Sequence, residues 1–219
     1  MEFVKLLNIS LIIIAPFLIF LSAIHLASFG SSFYKEEFSK YSIEENVPEA
    51  LELHQNVVDF LKGKSDYLPD RFNDREKQHL QDVRRLVLLS KGILYFLIGL
   101  SAVLIAALMR LKKQGKDLKQ LIGKVLLFGG LLTIGLSALL GLLISSNFSY
   151  SFESFHKIFF QPGTYAFDPE YEIIVNLYPE GLFMDLGLRV AKFATITSFI
   201  FIAAGTVLLS KTAKINYRL

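Results

Sequence analysis

Cysteine and tryptophan are missing from this 219-residue chain, and histidine is scarce, with four residues. The lack of cysteine excludes disulfide bonds, thiolate nucleophiles and metal sites built on cysteine. No G-x-S-x-G motif is present, so the serine elbow of an α/β-hydrolase is excluded as well. Any catalytic chemistry must therefore rest on other side chains, and the histidines are the first to consider.

Charged residues make up 20% of the chain but are nearly absent from four long apolar runs. Each run has about the 20 residues that a helix needs to cross a hydrocarbon core, and none alternates as a barrel strand would. The runs are 8–27, 86–109, 123–144 and 188–210. With a mean hydropathy of +0.46, the chain is predicted to be one all-α integral-membrane domain, 1–219, with four transmembrane helices.

Basic residues concentrate at one end of these runs, which predicts the orientation. The connector at about 110–122 and its flank carry six basic residues against one acid, Asp117, and further basic residues precede the first run and follow the last. Both termini and this connector are therefore expected in the cytoplasm. The segments 31–85 and 145–187 are then extracytoplasmic and are expected to contain short interfacial helices. Because membrane topology accounts for the pI of about 8.9, no nucleic-acid partner is expected.

The first outer segment contains a helix start next to a histidine. Asn73 and Glu76 have the spacing of a capping box, and the helix that follows can run into the second apolar run. His79 and Asp82, three residues apart, share one side of that helix. A carboxylate bonded to one imidazole nitrogen leaves the other free to act as a base. The same spacing also fits a surface histidine with a chance acidic neighbour.

Four phenylalanines in the second outer segment have helical spacing and form one narrow stripe: Phe148, Phe152, Phe155 and Phe159. A helix with such a stripe lies in the membrane interface with its rings in the acyl boundary. His156 falls at the border between the apolar and polar faces, which is the depth of lipid ester linkages. The alternative is a structural aromatic belt with an incidental histidine.

Several short stretches together resemble the lipoprotein intramolecular transacylase family, called Lit. They are 76–83 (EKQHLQDV), 155–160 (FHKIFF), 167–169 (FDP) and 178–180 (YPE). The resemblance extends to the four-span layout and so covers nearly the whole chain. One position departs from it, because Tyr165 stands where the family pattern has tryptophan, a change that would alter how the loop is anchored.

The resemblance implies an acyltransferase in the bacterial cytoplasmic membrane, with its active site at the extracytoplasmic leaflet. Its substrate would be a lipoprotein whose N-terminal cysteine carries a diacylglyceryl group. The sn-2 acyl chain would move to the α-amino group of that cysteine and leave a lyso-form lipoprotein. Membrane lipids are the other expected partners.

The residues suit such a reaction. When amine and ester belong to one molecule, effective molarities reach about 10⁵–10⁸ M, so no enzyme nucleophile, covalent intermediate or cofactor is needed. A base, an acid and an oxyanion donor remain necessary. His156 is the predicted proton shuttle, and His79, oriented by Asp82 if the two pair, is the predicted second base or oxyanion donor. The two histidine roles could be exchanged.

Other functions fit less well. Two histidines and Asp82 could suggest zinc, but no third ligand has a recognisable spacing, and no metal is expected. A non-catalytic scaffold or chaperone explains the charge bias but not the histidines. A transporter would need charges within the spans. His54 on an apolar face and His25 near a span end are expected to be structural or interfacial, and Arg84 and Arg85 are expected to reach lipid phosphates or else a substrate; the four roles stay open.

Overall fold

The computed structural model describes residues 2–111 and 115–216 and is all-helical, with no strand in those two ranges. Its helices are α1 (Glu2–Ala27), α2 (Ser31–Lys40), α3 (Ile43–Asn46), α4 (Ala50–Leu61), α5 (Asp74–Leu111), α6 (Gly115–Ser146), α7 (Phe148–Phe159), α8 (Ile173–Leu177) and α9 (Glu180–Asn216). Four of them, α1, α5, α6 and α9, are long and apolar enough to cross a membrane. The predicted all-α fold with four spans and short helices between them is therefore confirmed.

The chain forms two compact units. The bundle unit comprises Met1–His25, Gly92–Gly141 and Arg189–Leu219, and the site unit comprises Leu26–Lys91 and Leu142–Leu188. The single domain expected from the sequence stays a prediction. The connector expected at 110–122 is helical on both sides of residues 112–114, which lie outside the described residues.

Small residues bring helices close together in the bundle unit. A Cβ on Gly205 of α9 would lie 2.6 Å from the backbone nitrogen of Leu127 on α6, so only glycine permits this approach. Thr133 and Ser198 are fully buried, and each hydroxyl donates to a carbonyl one turn earlier in its own helix. Helices associate in lipid through close backbone packing of this kind, because apolar side chains gain little free energy by exchanging lipid contacts for protein contacts.

The site unit has its own hydrophobic core. Aromatic and aliphatic side chains from α2, α4 and α8 meet in one cluster that includes Phe38, Val57, Phe60, Phe72 and Leu177. The α4 helix buries one face and exposes the other, as an amphipathic helix on a soluble-type core does. This core gives the unit a rigid frame for the side chains described next.

A buried carboxylate joins two helices of the site unit. Asn73 Oδ1 accepts from the Glu76 backbone nitrogen at 2.9 Å, and Glu76 Oε2 accepts from the Asn73 nitrogen at 2.7 Å. The predicted capping box is thus confirmed. Glu76, only 1% exposed, also accepts from the Ile174 nitrogen at 2.8 Å through Oε1. The Glu76 side chain therefore accepts backbone hydrogen bonds at the N-termini of both α5 and α8, and this fixes the distance between the two helix ends.

Candidate active site

His79 lies in the second turn of α5, in the charged stretch before the apolar part of that helix, and is 7% exposed. Its ring is surrounded by aromatic side chains: the ring centroids of Phe160 and Phe167 lie 4.8 and 5.3 Å away. Within the described residues, no hydrogen-bond partner reaches its buried Nδ1. An unsatisfied buried polar atom is costly and calls for an explanation.

His156 is carried by α7, which begins where Asn147 Oδ1 accepts from the Tyr150 nitrogen at 3.0 Å. The His156 Nδ1–H donates to the Phe152 carbonyl oxygen at 2.8 Å. In the neutral ring this bond places the lone pair on Nε2, which is then available as a base. Phe152 also packs against the ring, with centroids 4.3 Å apart. The helix backbone thus fixes both the orientation and the tautomer of the ring.

The two imidazoles face each other. Their centroids are 6.0 Å apart and their planes differ by 20°. Phe160, the C-cap residue of α7, packs against both rings, with its centroid 4.8 Å from that of His79 and 5.3 Å from that of His156. Because imidazole nitrogens donate and accept in the ring plane, two nearly parallel rings at this separation can reach one substrate group along their edges. The structure therefore brings together the two histidines predicted from distant parts of the sequence.

Burial determines the charge of His79. Loss of solvent and, to a smaller extent, the neighbouring His156 together lower its pKa from the usual 6.5 to about 4. At neutral pH the ring is uncharged and carries one N–H donor and one acceptor nitrogen. It can therefore hold an oxygen that becomes negative, or relay a proton.

An arginine holds the loop that closes over His79. Arg75 lies one turn before His79, and its guanidinium is 5.0 Å from the Phe167 ring, which packs against His79. Arg75 Nη2 donates to the Ala166 carbonyl oxygen, and Nη1 lies 3.3 Å from Glu172 Oε1. Glu172 accepts from the backbone nitrogen of Asp168 at 2.8 Å. The sequence did not predict this network, although the four-residue spacing of Arg75 and His79 places them on one side of α5.

Asp82 does not pair with His79. Its Oδ1 accepts from Arg85 at 3.0 Å, while His79 turns its ring towards Phe160 and Phe167. The pairing on which the orienting role of Asp82 depended is therefore not found among the described residues. Three-residue spacing places Asp82 on the same side of α5 as His79, but Arg85, three residues further on, is a fully charged partner. A catalytic role for Asp82 stays a prediction.

The aromatic stripe of α7 is divided between two surroundings. Phe148 and Phe152 stack at 5.7 Å, and Phe152 packs on Phe183 of α9 at 5.2 Å. Phe155 and Phe159 stack at 4.8 Å but are about half exposed. His156 contacts one ring of each pair, Phe152 at 4.3 Å and Phe155 at 5.7 Å between centroids, and its depth in the membrane stays a prediction.

The remaining candidates are accounted for differently. His54 is buried and its Nδ1 lies 2.9 Å from the Tyr178 hydroxyl, as expected for a packed histidine. Arg84 bonds to Asp66 at 2.7 Å and lies over the Phe60 ring, whereas Arg85 bonds to Asp82. His25 lies, half-buried, in the last turn of α1. In the parts of the chain that the structure describes, no group of three or more His, Asp or Glu side chains could hold a metal ion.

The fold and the site together define an integral-membrane protein with two facing imidazoles. The model of the family "Lipoprotein intramolecular transacylase Lit" matches residues 9–183, and the chain belongs to this family. It is accordingly an acyltransferase of lipoprotein processing. The predicted family, enzyme class and membrane location of the chain are thereby confirmed, and the non-catalytic scaffold is set aside.

Individual proteins are similar to this chain in sequence or in fold over nearly its whole length. The chain is 26% identical over 212 residues to an uncharacterized protein of Aquifex aeolicus (strain VF5), which covers 90% of each sequence. The structure is similar to the in meso structure of the membrane integral lipoprotein intramolecular transacylase Lit from Bacillus cereus, with a TM-score of 0.83, 24% identity, and coverage of 97% of this chain and 99% of that one. A variant of the Bacillus cereus protein with histidine replaced by alanine has a TM-score of 0.80 at 23% identity, with 97% and 96% of the chains covered.

Proposed function

We propose that this chain moves the sn-2 acyl chain of a diacylglyceryl-cysteine lipoprotein to the α-amino group of the same cysteine and so produces the lyso-form. The observation that carries the proposal is the pair of imidazoles 6.0 Å apart. The two histidines are 77 positions apart in sequence, on α5 and α7, yet they can reach a single reacting centre. Family membership supports the general transacylase activity, and the imidazole pair supports this particular chemistry.

His156 is proposed as the proton shuttle. The substrate amine attacks the ester carbonyl carbon, forming the C–N bond and giving a tetrahedral intermediate with negative charge on the carbonyl oxygen. His156 Nε2 takes the amine proton and later gives it to the glyceryl oxygen as the C–O bond breaks. The hydrogen bond from Nδ1 to the Phe152 carbonyl supports this role, because it leaves Nε2 as the acceptor.

His79 is proposed as the second imidazole, which donates to or relays a proton at the same centre. Its neutral state at physiological pH supports this role, because a neutral ring has one N–H that can donate and one nitrogen that can accept a proton. The roles of the two rings can be exchanged in this scheme. Asp82 is the third proposed residue, and its contact with Arg85 suggests an action through charge rather than through orientation of His79.

No covalent acyl-enzyme and no cofactor enter the scheme. Amine and ester are parts of one substrate, so the binding site supplies proximity instead of a nucleophile. The proposed substrate is a diacylglyceryl-modified bacterial lipoprotein held among membrane lipids.

The proposed location is the extracytoplasmic leaflet of the cytoplasmic membrane, with both termini in the cytoplasm. The positive charge near 110–122 supports this orientation. The exposed apolar side chains of Phe155, Ile158 and Phe159 support contact between α7 and acyl chains. On α7 they follow directly after the membrane-crossing helix α6.

A labelled substrate tests the proposal. The purified chain in liposomes is given a synthetic diacylglyceryl lipopeptide with an isotope label in the sn-2 acyl chain only. Mass spectrometry of the N-terminal fragment is expected to find the label on nitrogen and a lyso glyceryl group. Label that remains on glycerol, or an acyl group from the sn-1 position, would contradict the proposal. A parallel reaction in EDTA is expected to proceed at the same rate; loss of activity that zinc restores would assign a metal mechanism.

A further inference from the structure

We infer that the hydroxyl of Tyr165 donates a hydrogen bond to the ester carbonyl oxygen as it becomes negative. The inference rests on the proposed function and names a donor in addition to the two imidazoles. The Tyr165 ring lies 5.2 Å from the His156 ring, at an angle of 36°, and 6.4 Å from Phe160. It therefore stands at the same wall of the site as the proposed proton shuttle.

The loop that carries Tyr165 is held in place on both sides. Before it, Thr164 closes a turn by donating from its backbone nitrogen to the Gln161 carbonyl at 3.2 Å and from its hydroxyl at 2.8 Å. Gly163 in this turn has φ of +87°, which a side chain would strain. After it, the Ala166 carbonyl accepts from Arg75. A donor on a loop fixed in this way is preorganised, which is what stabilisation of a developing charge requires.

The hydroxyl is available, whereas nearby cations are engaged. Within the described residues, Tyr165 makes ring contacts but no side-chain hydrogen bond. The cationic side chains that could serve instead have acidic partners: Arg75 with Glu172, Arg84 with Asp66, Arg85 with Asp82 and Lys157 with Glu153. Each would have to give up an ion pair to bind the carbonyl oxygen. Tyr165 would give up only water.

The chemistry requires no change in the charge of Tyr165. During attack by the amine, the carbonyl π electrons move to oxygen, and the phenol O–H shortens its hydrogen bond to that oxygen. The phenol keeps its proton when the carbonyl re-forms and the glyceryl oxygen leaves with the proton from His156. Because the bond strengthens only as charge develops, it should act on kcat and leave substrate binding unaltered.

The inference is tested by measuring kcat and KM for the wild-type chain and for matched variants. All are assayed in liposomes with the same lipopeptide. Tyr165→Phe keeps the ring and removes the donor; kcat is expected to fall about 10²–10³-fold with KM unchanged. Tyr165→Trp restores an N–H donor on a ring and is expected to recover most of that loss. Tyr150→Phe removes the same hydroxyl from an exposed tyrosine of α7 and should leave both constants unchanged.

The outcomes separate the two proposals. An active wild type with an equally active Tyr165→Phe variant would overturn the donor role alone. A rise in KM at constant kcat would also overturn it, because that result describes substrate anchoring. An inactive wild type would overturn the proposed function and this inference with it.

Discussion

His54 and His79 are two buried histidines in the same unit, but only His54 has a hydrogen-bond partner for its Nδ1. Both are nearly inaccessible to solvent, both lie among aromatic rings, and burial lowers the pKa of each to about 4. His54 packs on Tyr34 at 3.8 Å and its Nδ1 is bonded to Tyr178. His79 has no partner for Nδ1 in the described part of the chain, and its ring faces a second imidazole.

We propose that this difference separates a structural histidine, His54, from a functional one, His79. A satisfied buried imidazole stabilises its surroundings and has no free nitrogen pointing at a partner that could react. An unsatisfied one costs about 1–3 kcal/mol, and an apolar residue would remove that cost. Retaining it at His79, opposite His156, is what a site for an external substrate requires. Burial and a shifted pKa are the same at both positions and cannot distinguish them.

Substitution of the facing pair should give the largest loss of activity. His156→Ala removes the proposed shuttle, and its rate of N-acylation is expected to fall about 10²–10⁴-fold, the usual contribution of a positioned acid–base group. His79→Ala is expected to fall into the same range. Conversion of the lipopeptide by mass spectrometry at equal protein levels measures both. A rate within threefold of the wild type for either variant would remove that histidine from the mechanism.

Substitution of His54 should affect stability and spare catalysis. His54→Leu leaves the hydroxyl of the half-buried Tyr178 without its partner, at a cost of about 1–3 kcal/mol in the free energy of unfolding. Adding Tyr178→Phe removes the stranded hydroxyl and is expected to recover part of the loss. Thermal unfolding measures the effect, and the rate per folded molecule should stay within about threefold. A large loss of kcat without loss of stability would place His54 in the active site.

Acid should destabilise the protein through both buried histidines. In the unfolded chain a histidine pKa is about 6.5, whereas in the folded chain His54 and His79 titrate near 4. Between these values the unfolded state binds more protons, so stability is complete above about pH 6.5 and falls as the pH drops towards 4. Melting temperatures from pH 7 to 4.5 measure this. The slope should be smaller in His79→Phe, and an unchanged slope would contradict the assigned pKa.

Asp82→Asn should have the smallest effect. Because Asp82 is bonded to Arg85 and not to His79, its neutralisation is expected to lower kcat by less than about tenfold. A carboxylate that orients a catalytic imidazole costs about 10⁴-fold when it is replaced by the amide. The size of the loss therefore decides between the contact in the structure and the role expected from the spacing.

Local patterns in the sequence predicted the parts of the fold that depend on local physics. The four spans follow from run length, and the capping box of Asn73 and Glu76 follows from spacing. The second bond of Glu76, to Ile174, could not be predicted because it joins residues 98 positions apart. Likewise, helix periodicity gives the face on which Asp82 lies but not which of two neighbours it binds.

The candidate site was predictable in its members more than in its arrangement. Motif resemblance and interfacial position identified His79 and His156, but their separation depends on how α7 and the loop at 160–172 fold back on α5. The sequence did not predict that Tyr165 and Arg75 contact the site. Their contacts arise from that same packing, which a helical wheel does not contain.

The most direct test of two imidazoles acting on one lipid is the rate of the double variant His79→Ala/His156→Ala beside those of the single variants. If both rings serve one reacting centre, the rate of the double variant should lie within about tenfold of the rate of the slower single variant. The reason is that the effects of substituting groups that act as a unit are not additive. Losses that multiply, with each single variant retaining independent catalysis, would contradict a shared centre.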